Sequence, residues 1–199
     1  MTATLFVDVE TSDLLKKHLP LDDDAQPWCV RVSAQLDVSG QPPQFFNLAV
    51  KADGRKIREG AERVHGVSSR SAAKHGMNEV VVLGALCNLA AQAECVVGHG
   101  IQFDRDVITG VLMRRGKDAR LWTRAGLAFQ DTMILATPFC RLPSVMDDGG
   151  FKWPSLDEAC SLLLSEAPRE GHHDAWDDLQ RTRRLWAWLV DRNAVEAAA

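Results

Sequence analysis

Two carboxylates set two positions apart in an otherwise apolar strand constrain this chain more than any other feature. The stretch is FVDVETS, residues 6–12. Phe6, Val7 and Val9 are strand formers. Side chains alternate faces along a strand, so Asp8 and Glu10 share one face with Phe6, their Cα atoms roughly 6.5–7 Å apart, while Val7 and Val9 face the other way. Two carboxylates held that close repel each other unless positive charge lies between them. A divalent cation is the economical solution, because Mg²⁺ and Mn²⁺ favour oxygen ligands. The alternative is an exposed edge strand with its acids in solvent.

The rest of the chain has the balance of a globular protein. Of its 199 residues, 46% are hydrophobic and 25% charged, which suits one domain. We expect a single domain over residues 1–199, with a core at about 4–190 and a short Ala-rich C-terminal tail. No run approaches the length of a membrane span, and the N-terminus lacks the pattern of a signal peptide. The five cysteines are odd in number and form no C-x-x-C pair, which argues against a disulfide framework or a zinc site. Reduced thiols and a cytoplasmic location are the expectation. The net charge of −4 disfavours binding through a broad basic surface, but not an enzyme that grips one strand end through metal ions.

Closely spaced strands are expected at 4–9, 28–38 and 45–51, with QPPQ at 41–44 as a turn. A short helix is expected around 57–64, ending at His65-Gly66, and a longer one over 78–92 from its apolar spacing. ECVVGH, 94–99, reads as a buried strand, followed by a helix over about 104–115. DTMILATPF, 131–139, begins a helix that Pro138 is expected to end. Residues 141–154 read as a loop. Ser155 and Glu158 form a capping box, and a last helix is expected from about His173 to Asp191. Strands first, then helices mixed with strands, give a mixed α/β layer.

Three further stretches carry candidate chemistry. In VVGHGIQFDRDVI, Asp104 follows the buried strand, where open α/β sheets place ligands, or it caps the helix. His99 reads as structural and Phe103 as core. In HHDAWDD, 172–178, Asp174, Asp177 and Asp178 crowd a helix start. Acids favour helix N-termini in any case, Asp177 could pair with Arg181, and spacing does not choose among them. In RVHGVSS, His65-Gly66 reads as a helix end and turn.

Together these segments resemble the DnaQ-like (DEDDh) 3′→5′ exonucleases of the RNase H-like superfamily. Their three motifs read here FVDVETS, VVGHGIQFDRDV and HDAWDD, with RVHGVS, QDTMILA and FKWPSLDEAC also similar, over about residues 4–190. The resemblance implies an RNase H-like α/β fold, a central mixed five-stranded sheet flanked by helices. It implies that Asp8, Glu10, Asp104 and Asp178 bind two divalent ions, Mg²⁺ or Mn²⁺, and that His173 is the general base. The motif selects His173 over His172 and Asp178 over Asp177. Thr11, Leu14, His65 and Phe103 are candidate substrate contacts. The implied substrate is a single-stranded DNA or RNA 3′ end, DNA slightly favoured, cut to nucleoside 5′-monophosphates. The alternatives are a non-catalytic nucleic-acid-binding module with the same fold and a proofreading subunit within a polymerase complex; the partners expected beside the nucleic acid are a second copy in a homodimer or a polymerase.

Two positions depart from the pattern. Asp13 stands where relatives usually have Gly, and adds negative charge near the expected 3′ end. Gly100 stands where relatives often have Asn, and removes a side chain that braces the local backbone.

Overall fold

The computed structural model describes residues 3–144, 150–168 and 171–192. Its centre is a five-stranded sheet in the order β3-β2-β1-β4-β5. Strand β1, Ala3–Thr11, pairs antiparallel with β2, Cys29–Val38, which pairs antiparallel with β3, Gln44–Ala49. On its other side β1 runs parallel to β4, Cys95–Gly98, and β4 runs parallel to β5, Ala128–Asp131. This is the expected mixed five-stranded α/β sheet. The helices are α1, Glu59–His65, α2, Ser69–His75, α3, Glu79–Gln92, α4, Ile101–Arg114, α5, Arg120–Thr123, α6, Thr132–Cys140, α7, Leu156–Leu164, and α8, Ala175–Asp191.

The alternation of β1 divides the layers. Leu5, Val7 and Val9 enter the main core with Leu83 and Leu86 of α3 and Ile108 and Val111 of α4. Phe6, on the opposite face, packs with Val97 of β4 and Leu179 of α8. Helices α6 and α7 lie beside α8, where Leu135, Ala136 and Ala159 meet Leu185 and Leu189. The face that carries Asp8 and Glu10 is therefore the face that α8 covers.

Several local expectations needed revision. Helix α4 begins at Ile101 rather than near 104, because Gly100 takes a left-handed φ of 76° and turns the chain directly out of β4. Asp104 thus lies inside the first turn and is not the cap. Helix α8 begins at Ala175, two residues later than expected, because Asp174 caps it by accepting from the Trp176 and Asp177 amides. Pro138 does not end α6. The helix runs on to Cys140 and closes at Arg141 in the left-handed region, so the missing proline N–H falls near its end. Strand β3 starts at Gln44, inside the expected turn. Helices α2 and α5 and strand β5 were not anticipated.

The Ser155–Glu158 capping box is present in full. In the expected loop at 141–154, Pro143 bridges Phe151, and residues 145–149 lie outside the described residues, as does the Ala-rich tail from 193 onward. No helix among the described residues is long and apolar enough to cross a membrane, and the five cysteines are free.

Candidate active site

Three elements meet where β1 and β4 end. Strand β1 presents Asp8 and Glu10, and the first turn of α8 presents Asp178 to the same point. One carboxylate oxygen from each lies within 4.8 Å of the others. Asp178 is buried whereas Asp177 is exposed, and Asp178 is the one of the two that lies beside Asp8 and Glu10. Arg181, weighed as a partner for Asp177, is buried and donates to Asp157 and Glu166 of the α7 region.

Asp104 approaches from the other side of β1. Its Oδ1 accepts the Val9 amide at 2.9 Å, which ties α4 to the strand between the two ligand candidates. The side chain is buried, and burial pushes its carboxyl up to about 8 against the Val9 hydrogen bond, with the negative charges of Asp131 and Glu10 adding to the rise. Asp104 is not within the group of three, but Glu10 is close enough to act on it.

His173 precedes α8. Its Nδ1 lies 3.3 Å from Asp178 Oδ2, and its side chain is half exposed. His172 points elsewhere, its Nδ1 against the Arg63 carbonyl of α1 at 2.9 Å. His99 is braced at both ring nitrogens, by Thr132 Oγ1 and by the Pro154 carbonyl, each at 3.0 Å. Burial lowers its pKa, as suits a structural tie between β4, α6 and the start of α7.

A cleft of about 750 Å³ opens beside Glu10. All four candidate substrate contacts, Thr11, Leu14, His65 and Phe103, line it. Leu14 is 76% exposed, so it projects into the cleft and solvent rather than into the core. Phe103 does both, packing partly against the main core. Thr11 Oγ1 donates to the Asp13 carbonyl at 2.8 Å and holds the turn after β1. His65 is buried, and its Nδ1 accepts the Val67 amide at 3.1 Å. Because Nδ1 accepts, the ring proton lies on Nε2, and burial lowers the pKa against the Thr11 backbone, which raises it. Nε2 is buried and is directed towards the Thr11 backbone.

The two departures are both compensated. Arg58 forms an ion pair with Asp13 at 3.1 Å, which offsets the added charge at the cleft wall. The Gly100 amide donates to Asp131 Oδ1 at 2.8 Å, and the same oxygen accepts the Met133 amide as the cap of α6. The bracing expected to be lost is supplied from α6 instead. Arg58, Ala61 and Val64 of the cleft wall were missed by sequence reasoning. The only signal was their place just before the His65-Gly66 pair.

The mixed five-stranded sheet with its flanking helices is the arrangement that the resemblance implied. The chain is similar to exodeoxyribonuclease I of Escherichia coli (strain K12), 27% identical over 189 residues, which is 89% of this chain and 38% of that protein. Solved structures agree in fold. E. coli exonuclease I in complex with a dT13 oligonucleotide superposes with a TM-score of 0.72 at 20% identity, covering 96% of this chain and 41% of that one. The zinc-bound form of the E. coli enzyme with single-stranded DNA gives 0.68 at 19% identity, covering 96% and 41%. The chain thus spans about two fifths of the length of these relatives. No family model matches it.

Proposed function

We propose that this protein is a metal-dependent 3′→5′ exonuclease that releases nucleoside 5′-monophosphates from single-stranded DNA. One observation carries the reading: Asp8, Glu10 and Asp178 bring carboxylate oxygens within 4.8 Å of one another beside a cleft sized for a terminal nucleotide. The relative's name, exodeoxyribonuclease I, and the oligonucleotides in its structures support DNA over RNA.

The donor set fits hard divalent cations. It offers carboxylate oxygen and no thiolate, the preference of Mg²⁺ and Mn²⁺. Asp8, Glu10 and Asp178 would hold two such ions, with Asp104 completing the shell from the α4 side. Bound there, the ions supply Lewis-acid stabilisation of charge on the phosphodiester and on the leaving 3′-oxygen.

The chain's own groups do the rest. His173 accepts the proton of the attacking water. With the proton on Nδ1 directed at Asp178, Nε2 keeps its lone pair, and a histidine serves as base near neutral pH. Leu14 and Phe103 offer apolar surface to the terminal bases.

The test is a time course on 5′-labelled single-stranded DNA and on RNA of the same sequence, with Mg²⁺. A ladder shortening from the 3′ end of the DNA, lost in excess EDTA, is the expected result. Cutting of a closed circular single strand, or equal turnover in EDTA, would overturn the proposal.

A further inference from the structure

Helix α1 does two jobs at once. One side of it, with Ala61, Val64 and His65, walls the substrate cleft. Its C-terminal end is closed by the loop that carries the proposed base. The last carbonyls of a helix lack intrahelical partners, and here three successive ones are taken in turn. The Gly66 amide donates to Glu62 O at 2.7 Å, His172 Nδ1–H donates to Arg63 O at 2.9 Å, and the His173 amide donates to Val64 O at 2.7 Å. The fit is close. Gly66, at a φ of +70°, leaves room for the His172 ring, and a Cβ added there would stand 3.2 Å from it.

We propose that His172 is a positioning residue that docks the base-bearing loop onto the C-terminus of α1, and so sets where His173 stands relative to Asp178. The helix that walls the cleft thereby also fixes the base. The inference rests on the reading of His173 as the general base. It assigns His172 no contact with substrate and no share in the proton transfer. His172 is exposed, so nothing in the core requires its ring. The ring's bond is to one backbone oxygen, which any side-chain donor at the same reach could serve.

The experiment is steady-state turnover on single-stranded DNA with Mg²⁺ for His172→Ala, His172→Asn, His173→Ala and the double alanine variant, each with a thermal melt. The asparagine amide nitrogen is as many bonds from Cα as Nδ1 is, so His172→Asn can remake the bond to Arg63 O. Loss of one docking hydrogen bond should cost His172→Ala about tenfold in kcat with KM nearly unchanged, and His172→Asn should recover most of it. In the His173→Ala background, His172→Ala should cost nothing more, because it acts only through His173. Wild-type kcat in His172→Ala beside a crippled His173→Ala would overturn the docking role and leave the base standing. So would a full extra loss in the double variant, or no rescue by asparagine. Wild-type turnover in His173→Ala would instead overturn the base, and this role with it.

Discussion

The Val9 amide and the Asp104 carboxylate are joined at 2.9 Å across the boundary between β1 and α4, so the acid is aligned to the strand by the backbone between Asp8 and Glu10. Burial makes that alignment costly once the acid ionises. The folded chain holds the Asp104 proton up to about pH 8, and the unfolded chain releases it near 3.8. The stability this proton contributes is complete below the unfolded value and is lost as pH rises towards 8.

Asp104→Asn keeps the acceptor for Val9 and removes the ionisation. In metal-free protein it should melt higher than the wild type, by a margin that grows from pH 4 to pH 8 and is on the order of a few kcal/mol at the top. With Mg²⁺ the same variant should lose activity by about a hundredfold or more. Differential scanning calorimetry across that range, paired with turnover, reads both. A variant that is less stable than wild type at pH 8 without metal would contradict the burial argument.

The burial contrast between Asp178 and Asp177 gives a second prediction. Asp178→Asn should lower turnover by orders of magnitude, because charge developing in the transition state loses part of its stabilisation. Asp177→Asn should stay within about threefold of wild type, since an exposed charge is worth about 0.2–1 kcal/mol. If melts show both folded and Asp177→Asn is the inactive one, Asp178 is not the ligand.

Arg58 is exposed and Asp13 half-buried in their ion pair on the cleft wall, so its effect should be modest and sensitive to salt. Asp13→Asn frees the arginine for substrate phosphate and should lower KM by up to about fivefold. Arg58→Ala leaves Asp13 facing the strand and should raise KM by a similar factor. Both shifts should shrink at 0.5 M salt, read from KM at two ionic strengths. A KM that is insensitive to either change would remove the pair from the substrate path.

Mg²⁺ should also register without catalysis. Bound to the folded chain alone, it should raise the melting temperature in proportion to the logarithm of its concentration, and Asp8→Asn should abolish the shift. A shift that survives in Asp8→Asn would locate the ion elsewhere.

The parts of this fold that could be read in the chain are those with a strong local signal. The alternation of β1, the apolar period of α3 and the Ser155–Glu158 box are patterns of a few residues, and each sits where expected. Helix α2 is seven residues and largely polar, with only the Ser68 cap to announce it. Strand β5 has four residues, AFQD, without alternation, and its pairing with β4 decides its state. The start of α4 depended on a left-handed φ at Gly100, which a pattern of apolar residues does not record. In the site, the acids could be named from their motifs. The compensation of Asp13 by Arg58, 45 positions along the chain, and of Gly100 by Asp131 could not, because those pairs exist only once the elements are packed.

The carboxylates that cluster here come from the first strand and the last helix of the described chain. During synthesis on a ribosome, every other part of the sheet is made before Asp178 emerges to join Asp8 and Glu10. A nascent chain should therefore carry its finished sheet before it carries an assembled cluster, which waits for α8.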